Sequence, residues 1–216
     1  MAQQPPGAAT AAFTGSVAGK PIAERPVTPD ISIADPAPLG LAGFAMTTFV
    51  LGVSDAHVWP ATNAAVALAL AYGGLAQLLA GMWEFKRNNT FGALAFTSYG
   101  AFWISYFVFV EFIAKSIPPA DVASTIGTYL LAWGIFTAYM TIASLRVSVA
   151  VVVVFVLLTI AYAILAFGAF QANVTLTKVG GWFAVATAAA AWYASFAGVT
   201  NSTFKKVVLP VVPLAR

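Results

Sequence analysis

Two carboxylates in this chain have a lysine or arginine three or four residues further on. Glu84 lies three residues before Arg87, and Glu111 four before Lys115. Both spacings set acid and base on one helix face. The plain reading of each is an interfacial ion pair with snorkelling side chains; the sharper reading makes Glu111, the deeper of the two, a proton carrier. His57, between Asp55 and Trp59, could sense pH, although an ordinary interfacial histidine explains it as well. Thr47, Thr48, Gln77, Thr97 and Ser98 are uncharged groups that could meet a polar solute, and threonine and serine can equally bond back to their own helix.

Much chemistry is excluded. Cysteine is absent and histidine occurs once, which rules out disulfides, thiolate metal centres and multi-histidine metal sites. Glycines around Gly15 and Lys20 lack the spacing of a phosphate-binding loop, so ATP-driven pumping by this chain alone is not expected. No Ser/His pair or carboxylate pair at helical spacing falls in an apolar run, which argues against an enzyme. Neither a cofactor nor a nucleic-acid partner is expected.

The elements that must position these groups are membrane helices. Of 216 residues, 61% are hydrophobic and 8% charged, against roughly 25% charged in soluble domains. Uncharged runs occupy residues 36–54, 56–83, 88–110, 122–145, 147–177 and 179–204. Each is about as long as the roughly 20 residues that span a bilayer. The expected organisation is all-α: a flexible cytoplasmic N-terminal tail over 1–34, six transmembrane helices over 35–204, and a cytoplasmic C-terminal tail over 205–216. The first segment is rich in Ala, Pro, Gly and Thr, a composition that buries too little apolar surface to offset chain entropy. Small residues, broken only by Gln77, recur every fourth position from Ala61 to Gly81, and again from Ala186 to Gly198, two candidate seams for close helix approach.

Basic residues set the orientation. With six spans, Lys20, Arg25, Lys86, Arg87, Arg146, Lys205, Lys206 and Arg216 fall on one side, and only Lys115 and Lys178 on the other. Basic loops stay cytoplasmic, so both termini are expected inside. No Lys or Arg remains within the membrane core, so an anion there would be held by hydroxyls, amides and helix N-termini.

The first span opens with Asp35-Pro36-Ala37-Pro38-Leu39-Gly40-Leu41, followed by Phe44 and Met46-Thr47-Thr48. Prolines suit a first helical turn, whose amides would be unpaired in any case, and Asp35 can cap it. Further along stand Tyr72-Gly73-Gly74, Gln77, Glu84-Phe85-Lys86, Asn89-Thr90-Phe91-Gly92, Thr97-Ser98-Tyr99-Gly100, Trp133-Gly134, Gly181-Trp182 and Leu209-Pro210. In this order they closely resemble the acetate uptake transporter family over residues 35–210. The resemblance implies a six-helix protomer in a plasma or bacterial inner membrane, assembled as a homo-hexamer. Each protomer would carry acetate or related small monocarboxylates, with succinate and a proton as further partners; an acetate channel, ammonium export and a non-transporting sensor are the alternatives. It also implies a hydrophobic waist formed by Phe44, Tyr99 and Leu158, the last placed by gapless spacing from Trp133-Gly134.

Overall fold

The computed structural model describes residues 33–214; the N-terminal tail expected over 1–34 lies almost wholly outside them. Six helices long and apolar enough to cross a membrane make up the described chain: α1 Ala37–Asp55, α2 Thr62–Lys86, α3 Thr90–Ser116, α4 Pro119–Ser144, α5 Val149–Phe170 and α6 Val174–Phe204. Their alternating direction sets residues 33 and 214 at one end of the bundle with Arg87 and Arg146, here the Arg87 end. The turns after α1, α3 and α5 share the other, the Asp55 end.

Tight turns join consecutive helices. After α1, α2 and α5 a non-glycine residue takes the left-handed conformation (His57, Asn88 and Ala172, φ 57°, 58° and 48°). The next amide then bonds a carbonyl five residues back, as in Val58 to Val53, Asn89 to Glu84 and Asn173 to Gly168, which satisfies a carbonyl the helix leaves unpaired. Two of these closing residues also begin the following helix. The Asn89 side chain accepts from the Gly92 amide at 3.1 Å, and that of Asn173 from Thr175 and Leu176 at 3.0 and 3.1 Å. One asparagine therefore ends a helix and caps the next. The last helix accordingly begins at Val174, five residues before the start expected from Lys178; that lysine lies on its first turns, exposed.

Close packing follows small residues. Ala65, Ala69, Gly73, Gln77 and Gly81 form a buried face of α2. On α6 the expected stripe holds only toward its C-terminal end: Ala186 is exposed and Ala190 half-buried, while Ala194 is buried and Gly198 lies against Pro38, and the buried face also takes in Gly181, Ala184, Ala188, Ala191 and Ser195. A side chain at Gly181 would meet the Asp55 carbonyl carbon at 2.7 Å and the Gly52 oxygen at 2.8 Å, so only glycine lets α6 lie against the end of α1. Helix α2 is also not a uniform α-helix. Residues 71–76 form a π-turn, where Gly74 lies against the Ala69 carbonyl with no room for a Cβ. Helices α3 and α4 meet through rings, with Phe102 stacked on Tyr129 at 5.8 Å and Phe109 on Tyr129 at 6.1 Å.

The C-terminal segment is tied down. Asn201 accepts from the Val208 and Leu209 amides and donates to the Leu209 carbonyl. Farther on, the carbonyls of Val212 and Val211 accept from Val149 and Ala150 at 2.9 and 3.3 Å, pairing amides that open α5.

Candidate functional site: a cavity above an aromatic barrier

The signature at the start of α1 is held by its neighbours. Ser195 of α6 donates to the Pro38 carbonyl at 2.7 Å, Gly198 makes room for the Pro38 ring, and Gly40 lies against the Phe96 ring of α3. Pro36 is the residue flanking the helix, and Asp35, just outside it, accepts from the Ala37 amide at 3.1 Å. Asp35 also pairs with Arg87. Ala37 and Leu39 occupy the first turn, with Leu39 exposed. The signature therefore anchors α1 in register rather than offering groups to a solute.

From that anchor α1 presents Phe44, Thr48, Leu51 and Asp55 along one face, spaced four, three and four residues apart. These side chains line a cavity of about 660 Å³ that opens toward the Asp55 end. Helix α3 contributes Phe102, Trp103 and Tyr106, α4 Ile126 and Tyr129, α5 Leu158 and Tyr162, and α6 Thr177 and Ala184. Helix α2 contributes nothing to it. The volume lies within the roughly 300–1,000 Å³ of small-molecule sites.

The cavity ends on buried Phe44 and Leu158. Tyr99 lies against Phe44, ring centroids 5.6 Å apart, and is itself buried outside the cavity lining. Its ring also meets Phe136 edge-on at 5.4 Å and Phe155 at 6.1 Å, and Phe155 meets Phe91 at 5.3 Å. An apolar barrier thus runs from Phe44 toward the Arg87 end. Within it the Tyr99 hydroxyl lies 2.9 Å from Thr137 Oγ1, which bonds the Trp133 carbonyl at 2.7 Å. A threonine hydroxyl has one proton, and with that proton on the carbonyl, Tyr99 donates to Thr137.

Of the polar groups expected along a solute path, Thr48 alone faces the cavity, its hydroxyl without a partner among the described residues. Thr47 donates to Gly43 at 2.9 Å and lies against Gly73 of α2. Buried Gln77 faces α1 at Gly43, with its Oε1 unpaired among the described residues. Thr97 abuts Gly81 of α2, and Ser98 is half-buried beside it; neither lines the cavity.

The two carboxylates differ from expectation in depth. Glu84 forms the expected ion pair with Arg87, 3.8 Å apart, but does not snorkel: it is 0% exposed and accepts from Asn89 Nδ2 at 2.9 Å. Glu111, expected to be the deeper, lies exposed in a π-turn over 109–113, off the cavity and not paired with Lys115. Its turn bulges the helix and carries the side chain outward, which hydropathy does not reveal. Asp55 and His57 line the cavity mouth instead. Asp55 closes α1, and His57 lies in the left-handed turn that follows. Among the described residues no cluster of His, Cys, Asp or Glu could hold a metal ion.

Such an arrangement can take up a small, largely apolar solute and exclude water beyond Phe44. Comparison with known proteins agrees with this architecture. The succinate-acetate/proton symporter SatP of Escherichia coli K12 is 37% identical over 179 residues, 83% of this chain and 95% of its own. Acetate permease A of Emericella nidulans is 40% identical over 195 residues, covering 82% of this chain and 65% of the permease. Ammonia transport outward protein 2 of Saccharomyces cerevisiae is 37% identical over 175 residues. A solved structure of the bacterial acetate channel SatP superposes with a TM-score of 0.79 at 37% identity, covering 83% of this chain and 99% of that one. With the family model matching residues 18–216, this multi-pass membrane protein belongs to the GPR1/FUN34/yaaH family.

Proposed function

We propose that the chain carries acetate and related small monocarboxylates, succinate among them, across a plasma or bacterial inner membrane, with a proton accompanying the acid. The observation that carries this reading is the apolar barrier of Phe44, Tyr99 and Leu158 under a cavity whose lining includes no Lys or Arg. A short carboxylic acid resembles the Glu side chain, with a pKa of about 4.3, so protonating it at pH 7 costs roughly 3.7 kcal/mol. Forcing a bare carboxylate through a dry apolar constriction costs far more, up to tens of kcal/mol in the idealised limit. Protonation is the cheaper route.

An anion channel is the second reading, favoured by the likeness to a structure described as an acetate channel. Labelled-acetate flux in proteoliposomes across pH 5 to 8, with empty liposomes subtracted, separates the two. Proton-linked passage predicts protein-dependent flux that rises as pH falls and moves protons with acetate. Flux that follows anion concentration and voltage without proton movement would overturn it.

Assembly as a homo-hexamer rests on family resemblance. Cytoplasmic placement of both termini rests on the eight-to-two division of basic residues.

A further inference from the structure

One wall of the cavity carries a group that the proposed passage does not use. Asp55 ends α1 and faces the cavity mouth. Among the described residues its carboxylate has neither a hydrogen bond nor an ion pair, while Ser54 beside it bonds Thr62 at 2.7 Å. The facing elements supply no compensating cation. His57 comes from the same turn, Tyr106 from α3, Tyr129 from α4 and Tyr162 from α5. Helix α6, packed on the Asp55 backbone through Gly181, gives the cavity Thr177; its nearby Lys178 is exposed and outside the lining. The remaining lining is mostly apolar, so little screens a charge placed there.

We infer that Asp55 is a charge filter at the cavity mouth, disfavouring anionic forms of the substrate and disfavouring a dicarboxylate more than acetate. This inference rests on carboxylic acids passing through this cavity. A negative Asp55 repels an incoming carboxylate, and each further charge on the solute adds to the repulsion. A neutral acid meets no such opposition, so the filter acts on acid that enters the mouth as an anion and takes up its proton at the barrier beyond. The mouth thereby sorts solutes by charge before the barrier sorts them by size, and because the two lie in series the filter acts on flux in either direction.

The test uses the full chain in proteoliposomes at pH 7.5, with labelled acetate and succinate as probes. Asp55→Asn should raise the ratio of succinate to acetate flux at least about three-fold at low salt. The increase should shrink as ionic strength rises, because salt already screens the aspartate of the unaltered protein. Asp55→Glu keeps the charge and should keep the original ratio, which separates charge from packing should the asparagine variant fold poorly. A well-folded Asp55→Asn protein with an unchanged ratio and salt dependence would overturn the filter and leave acetate transport standing. Absence of acetate flux from the unaltered protein would overturn both.

Discussion

Removing the ring of Tyr99 should open the barrier, whereas removing only its hydroxyl should not. The ring touches Phe44, Phe136 and Phe155, while the hydroxyl is engaged with Thr137. Tyr99→Phe forfeits one neutral hydrogen bond, about 0.5–1.5 kcal/mol of stability, and should keep the flux ratio of succinate to acetate. Tyr99→Ala should raise that ratio severalfold, with folding checked first because truncating a buried aromatic costs about 3–5 kcal/mol. Equal ratios in folded Tyr99→Ala and unaltered protein would remove Tyr99 from the size barrier. At this scale, legibility in the sequence was uneven. Phe44, Tyr99 and Leu158 could be named only through a recognised motif, since nothing in an apolar run marks which ring meets which. The Glu84–Arg87 pair is legible in residue spacing, whereas the burial of Glu84 beside Asn89 and the exposure of Glu111 on a π-turn are not.

At the scale of elements, the two asparagine junctions are predicted to differ in weight. Asn173 caps α6 through two backbone amides, so Asn173→Ala should cost about 1 kcal/mol, as an ordinary N-cap does. Asn89 caps α3 and also donates to fully buried Glu84, so Asn89→Ala strips a partner from a buried carboxylate and should cost roughly 2–4 kcal/mol. Thermal unfolding of the two variants in detergent compares them directly, and equal losses would show that the Asn89–Glu84 bond contributes nothing. The six helices themselves were readable from apolar runs and sparse charge, since a bilayer leaves few other ways to satisfy the backbone. Boundaries were less so. Lys178 served as a stop signal, yet a lysine near a helix end can extend its charge to the interface while its backbone stays helical. Asn173 was the true start signal. The π-turn in α2 had a trace in Gly73-Gly74, but paired glycines also serve close packing, and here they do both.

For the molecule as a whole, the remaining question is which end faces the cytoplasm. The fold places the Arg87 and Arg146 turns and the segment after α6 at one end, and the turns after α1, α3 and α5 at the other. An orientation comes only from charge: among the described residues the Arg87 end gathers Lys86, Arg87, Arg146, Lys205 and Lys206 and the Asp55 end Lys115 and Lys178, and insertion retains the more basic loops inside. The absence of native cysteine makes labelling clean. Trp59, exposed in the turn after α1, and Thr90, exposed at the start of α3, are suitable positions, and neither substitution removes a basic residue. An impermeant maleimide should label Trp59→Cys on intact cells and Thr90→Cys only after permeabilisation. Labelling of both from one side would break the six-span arrangement, because it requires an even number of crossings between them where α2 supplies one. The reversed pattern would keep the fold but turn the cavity and Asp55 toward the cytoplasm, so that charge sorting would act first on acid leaving the cell.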